Sequence, residues 1–375
     1  MDGELAKKEH IVYFDYLRAF GVICVVFMHT AAAPLRDSLG SRSWQFTNAF
    51  TSLAFTAVPL FLMMAGYLAM NSERTGDYKS VLTHRLPRLL LTLAVWTVVA
   101  AAWKTAARMD RSAGVFFSFI GQAFSGPIMV HFWYMYTLIA LTLISPVLFL
   151  GIKGLSAGGK KTLAVIISLV LAQSAVICLL PAEYRQSRGL DTLSQLKLLG
   201  GFLPMYLLGY FLGGIKKKIP NWIIIAAFAA DLALIAAGTA LRSGAAGEYN
   251  ASLQAQSGGL MALLAACVFL FAKQNLNRPC RLQRALSPLV KLSLGIYLAH
   301  NLVVGTLGIL GWMPLSFPMV CLKTIVSLAI SYLGVKTLAS IKPLCFAFTG
   351  LDYADARQSC SWQHTFSSHF RKNGQ

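Results

Sequence analysis

The sequence predicts an all-α, polytopic integral membrane protein with about ten transmembrane helices and both termini cytoplasmic. Three observations carry that prediction. Of the 375 residues, 56% are hydrophobic and only 13% are charged, with a mean hydropathy of +0.61. Apolar runs repeatedly approach the roughly 20 residues that a helix needs to cross hydrocarbon. The basic residues collect in the short stretches between those runs, where they set orientation.

The runs lie near residues 12–33, 50–70, 86–103, 130–150, 162–180, 198–215, 221–241, 258–273, 286–310 and 320–341. The first follows a polar start, "MDGELAKKEH", and has no small-residue cleavage site. It is therefore expected to stay as a span and not to be removed as a signal peptide. An even number of spans returns the chain to the side on which it began. Twenty Lys and Arg residues fall on that side, Arg85 and Lys216–Lys218 among them, against nine on the other. The positive-inside rule makes the richer side cytoplasmic. Between spans three and four, "RSAGVFFSFIGQAFSG" (111–126) has apolar residues at helical spacing and is expected to lie along the outer interface.

A net charge of +19 invites a nucleic-acid reading. The charges are spread over short inter-span loops, so the expected contacts are membrane lipid and no nucleic acid. The seven cysteines include no CxxC pair, which argues against a disulfide framework. Residues 1–342 read as one transmembrane domain, and 343–375 as a short, partly disordered cytoplasmic tail. Cys345, Cys360, His364 and His369 fit no usual ligand spacing, so no metal site is expected.

The first span, "YFDYLRAFGVICVVFMHTA", carries Asp15, Arg18 and His29. Asp15 and Arg18 are neighbours on one helix face. His29 follows Arg18 by eleven residues, which brings it back to within about 20° of that face after a rise of about 16 Å. Ionisable groups inside a span are costly, and they usually face a cavity or relay. The stripe therefore reads as the wall of a polar passage. In the second span, Pro59 and Gly66 permit a kink and a close helix approach. At the mouth of the third, Arg85 and Arg88 form an R-x-x-R pair suited to phosphate oxygens, with snorkelling anchors as the plain alternative. "VHFWYMYTL" opens the fourth with His131 and Trp133, which also suit an interfacial aromatic belt. In "LSLGIYLAHNLVV", Ser293, Tyr297 and His300 share one helix face. Asp231 is a further acid within a span, with no partner legible in the sequence. Cations at one end and histidines toward the other suit either a transmembrane donor–acceptor site or a transporter of an anionic glycolipid.

The order and spacing of these segments resemble the membrane acyltransferase-3 family. Asp15-x-x-Arg18 with His29 is similar to its opening signature, and "VPLFLMMAGYL" to its Pro–Phe–Gly segment. "HRLPR" looks like its basic R-x-x-R stretch. "HFWYMYTL" and "SLGIYLAHNLVV" resemble its later histidine segments. Within the family the likeness is greatest to stand-alone O-acetyltransferases of enterobacterial common antigen and other surface polysaccharides.

The resemblance implies a bacterial inner-membrane O-acyltransferase. Acetyl-CoA would be its co-substrate, with no permanently bound cofactor, and the acceptor would be a sugar hydroxyl of a lipid-linked or surface glycan. It further implies that Arg85 and Arg88 bind the CoA phosphates with help from Arg18. His29 would be general base or transient acyl carrier. His131, Trp133, Tyr297 and His300 would position the acceptor or support the oxyanion, and Asp15 would orient Arg18. The sugar, the choice of acyl group and the oligomeric state stay open at this point. A glycolipid transporter would move its substrate without consuming a thioester. A non-catalytic assembly partner would tolerate loss of His29.

Overall fold

The structure, a computed structural model, describes residues 10–108, 111–180 and 201–352. All regular structure among them is helical. Each of the ten apolar runs forms helix where it is described. The helices are α1 (Val12–Thr30), α2 (Ala32–Asp37), α3 (Arg42–Ala54), α4 (Ala57–Met70) and α5 (Tyr78–Ala106). There follow α6 (Ala113–Ser125), α7 (Trp133–Gly154), α8 (Ala157–Leu179), α9 (Leu203–Gly214) and α10 (Asn221–Ala246). The last are α11 (Gly259–Asn275), α12 (Arg281–Lys291), α13 (Ser293–Ile309), α14 (Phe317–Ser340) and α15 (Lys342–Thr349).

Among the described residues, seven helical segments are long and apolar enough to cross a bilayer, and the bent pair α12–α13 makes an eighth. Helices α9, of 12 residues, and α11, of 17, are shorter than the roughly 20-residue span that hydropathy suggests. Burial separates centre from rim. In α1, 72% of the most apolar stretch is covered by protein, against 11% in α8, so α1 runs through the middle and α8 presents its sides outward. Large apolar side chains such as Leu169 (63% exposed) and Leu241 (76%) project from the rim, as a lipid-facing surface requires.

Local sequence explains the breaks. Pro59 cannot donate to the carbonyl of Phe55, and its ring crowds that carbonyl, so the expected kink is a short break at residues 55–56 between α3 and α4. Pro87 acts similarly on the turn before it. Val81–Arg85 widen into a π-helical turn, after which the helix runs on unbroken from Leu86. Gly66 of α4 meets α9 backbone to backbone, since a methyl there would lie 1.8 Å from the carbonyl oxygen of Tyr206. Gly209 repeats the contact from α9, with 1.9 Å to the carbonyl oxygen of Met63. Small residues allow two membrane helices this approach.

The structure adds detail to two expectations. The run 286–310 is not one straight span: α12 and α13 meet at 66°, and α12 is a basic amphipathic helix with a proline at 288. The tail expected from 343 is helical where it begins. Its first residues form α15, which buries Cys345 and Thr349 and accepts a hydrogen bond on the Phe348 carbonyl from Trp96 Nε1 at 3.0 Å. Cys360, His364 and His369 lie outside the described residues.

Candidate functional site

Three imidazoles far apart in sequence meet, each carried by a different element. His29 sits in the last turn of α1, His131 in the short turn that starts α7, and His300 within α13. Their ring centroids are 5.8 Å apart for His29–His131, 5.0 Å for His29–His300 and 4.8 Å for His131–His300.

Two of the rings are fixed by hydrogen bonds that also define their tautomers. His131 Nε2 lies 3.2 Å from the Leu298 carbonyl, which only accepts, so this nitrogen carries the proton. Its Nδ1 then accepts from the Asn301 side-chain amide at 3.3 Å. His300 Nδ1 donates to the Tyr297 carbonyl at 2.5 Å, which leaves Nε2 as a bare acceptor, buried and without a protein partner. The Tyr297 hydroxyl donates to the backbone carbonyl of His131, which ties α13 to the start of α7. Both His131 and His300 are buried, whereas His29 is partly exposed and makes no hydrogen bond among the described residues. It is the imidazole of the three that an incoming group can reach.

Toward the beginning of α1 lies a cavity of about 400 Å³ that none of the three histidines lines, although Tyr297 in its wall has its ring centroid 5.5 Å from that of His131 and 5.9 Å from that of His300. It is walled by Arg18, Phe61, Tyr134, Leu138, Tyr297 and residues 349–351. A second, larger cavity of about 720 Å³ shares Leu138 with it and is lined by Arg74, Asp77, His84, Arg85 and Arg88. Arg85 is steadied by the hydroxyls of Thr75 (2.8 Å) and Ser72 (3.2 Å). Arg88 meets the Asp352 carboxylate at 3.2 Å and lies over the Phe346 ring at 5.4 Å. Arg18 has no hydrogen bond or ion pair among the described residues and faces the smaller cavity. A guanidinium so placed is a ready partner for an anionic or carbonyl group.

The predicted residues divide accordingly. Arg85 and Arg88 line the larger cavity, Arg18 and Tyr297 the smaller, and the three histidines lie beyond Tyr297, a succession that makes a candidate route. Asp15 makes no hydrogen bond or ion pair with Arg18 among the described residues. Its carboxylate accepts from Gln283 Nε2 at 2.5 Å and meets His10 at 3.1 Å, so it pins α1 to α12. Trp133 turns away from the cluster and stacks on Phe202 with ring centroids 4.9 Å apart. Tyr297 and His131 have their donors committed to carbonyls, so as they stand they position neighbours and do not offer protons to an oxyanion. Asp231 is buried on α10 with both oxygens unpartnered, apart from this route. Sequence reasoning missed Tyr134, hidden within an aromatic belt pattern, and Asn301, whose place beside His300 was the available signal. Asp352 carried no signal at all.

An all-helical membrane chain with a cluster of three histidines and a cation-lined cavity defines a class of polytopic membrane proteins with a polar interior site. The chain belongs to the acyltransferase-3 family: the family profile described as an acyltransferase domain matches residues 11–336. No curated protein and no solved structure matches it. The match takes in every residue of the route except those contributed by α15 and the turn after it.

Proposed function

We propose that this acyltransferase moves an acetyl group from acetyl-CoA to a sugar hydroxyl of a lipid-linked or surface polysaccharide, across a bacterial inner membrane. The observation that supports the reading is the succession of the site's parts. A basin with two arginines shares Leu138 with a cavity bearing an unpartnered guanidinium, and Tyr297 in that cavity's wall packs against two of the three clustered imidazoles. Arg85 and Arg88 hold the phosphates of the donor in the basin. The slender pantetheine arm passes Leu138 and brings the thioester along Arg18 toward His29. There His29 takes the proton of the acceptor hydroxyl as its oxygen attacks the thioester carbon. The new C–O ester bond forms, the C–S bond breaks, and the departing thiolate of CoA receives the proton from His29. The unpartnered Nε2 of His300, in a ring whose centroid is 5.0 Å from that of His29, is the acceptor toward which the N–H of His29 turns during the reaction, so that its other nitrogen serves as the base.

O-acetyl content of the host's surface glycans, read by mass spectrometry, tests this in three strains: a deletion, its complement, and the complement carrying His29→Ala at equal membrane level. Acetylation restored by the wild type alone supports the reading. Full restoration by His29→Ala would sink the assigned role, and unchanged acetylation in the deletion would sink the acceptor class.

A further inference from the structure

Away from this route, α1, α10 and α11 enclose a groove of about 510 Å³ whose lining is almost wholly apolar. Tyr16, Phe20, Ile225, Phe228, Val268 and Phe271 supply most of it. That volume falls within the roughly 300–1,000 Å³ usual for ligand sites. Several of these side chains are only partly covered, and Ile225 is 52% exposed, so the groove opens sideways from the bundle.

One end of the groove is strongly basic. Lys216–Lys218 precede α10, which contributes Ile225 and Phe228, while Arg278, Arg281 and Arg284 follow α11. The two loops are bound together. Gln274 receives the Ile219 N–H at 2.7 Å and returns a bond to its carbonyl at 3.1 Å, and Asn221 and Asn275 exchange bonds at 3.0 and 3.1 Å. Tyr16, in the groove wall, lies 2.8 Å from Cys280, the residue before Arg281. The Cys280 thiol is held below its usual range by that hydroxyl and by the backbone N–H groups of Gln283 and Leu282. All six basic residues are exposed, and none pairs with a carboxylate among the described residues.

We propose that this groove holds one acyl chain of an anionic glycerophospholipid of the surrounding bilayer, with its phosphate among Arg278, Arg281, Arg284 and Lys216–Lys218. The complementarity is twofold. Hydrocarbon fills a groove that opens toward lipid, and an unneutralised basic rim lies where that lipid's headgroup would sit. A lipid there bears on Tyr16, between Asp15 and Arg18, and so braces the helix that carries the reactive histidine.

Native mass spectrometry tests the site on the full chain, stripped of lipid in nonionic detergent and titrated with dioleoylphosphatidylglycerol or dioleoylphosphatidylcholine. The wild type is expected to give one saturable adduct with the anionic lipid and a far weaker one with the zwitterionic lipid. Replacing Arg278, Arg281 and Arg284 together by Gln should weaken the anionic adduct at least about tenfold. Val268→Trp should abolish it by filling the groove, and Ile225→Trp, at a half-exposed position, serves where Val268→Trp lowers the lipid-free melting temperature. Equal affinity for the two lipids, indifference to the arginine changes, or binding that survives a filled groove would each overturn the proposal.

Discussion

The histidine cluster and the arginine mouth are built in opposite ways. In the cluster, His131 and His300 are buried and bonded to main-chain carbonyls, and Tyr297 ties their two elements together. At the mouth, Arg85 leans on two hydroxyls, and Arg88 meets a carboxylate in a pair that is 41% and 63% exposed. His131 and His300 are held by the main chain, whereas the arginines of the mouth are held by side chains and are themselves partly open to solvent. Chemistry needs the first arrangement, because the reacting proton must be met at a fixed point. Admission and release need the second.

Substitutions can break this contrast or sharpen it. The largest effect is expected at the cluster, where His29→Ala should lower kcat about 10²- to 10⁴-fold with the fold intact. Acyl transfer by purified protein at saturating donor measures it, and near-normal kcat would place the base elsewhere. At the mouth, Arg85→Ala removes a charged hydrogen-bond donor worth about 1.5–3 kcal/mol. It should raise KM for the acyl donor about tenfold or more and leave kcat nearly unchanged, as a titration of donor concentration would reveal. A loss confined to kcat would mean that this arginine belongs with the chemistry.

Tyr297→Phe probes preorganisation, since it leaves a buried His131 carbonyl without its donor. A stability loss of about 1–3 kcal/mol is expected, together with a lower kcat. Thermal unfolding and turnover measured on the same preparation separate the two effects. The smallest change belongs to Asp352→Asn. An exposed ion pair is worth about 0–1 kcal/mol, so freeing Arg88 should lower donor KM by no more than about fivefold. A rise in KM would show that Asp352 positions Arg88 and does not compete with the phosphate.

Much of this was legible in the chain. The ten apolar runs gave helices, and helical geometry alone put Arg18 and His29 on one stripe of α1. Gly66 announced a close approach, and Gly209 supplies its other half. The convergence of three histidines was not legible, because nothing local says which helices are neighbours when each is apolar on every side. The partner of Asp15 was misread for a related reason. Arg18 is near along the helix, yet the 66° bend after α12 brings Gln283 to the acid from far down the chain. Residues 343–352 read as tail because short polar and apolar stretches after a last span resemble loose chain. Docking against α5 made them helix and cavity wall.

The widened turn at Val81–Arg85 has a consequence for how this gene tolerates error. A π turn holds one residue more than an α turn, and each helical residue advances the phase by about 100°. Removing a single codon there would let the turn close into ordinary helix and still satisfy the backbone. Everything from Tyr78 to the deletion would then be swung around the axis by that angle relative to Arg88, carrying its side chains out of the basin. Length at this turn works as a phase setting, and the proline six residues after its first residue keeps the setting from relaxing.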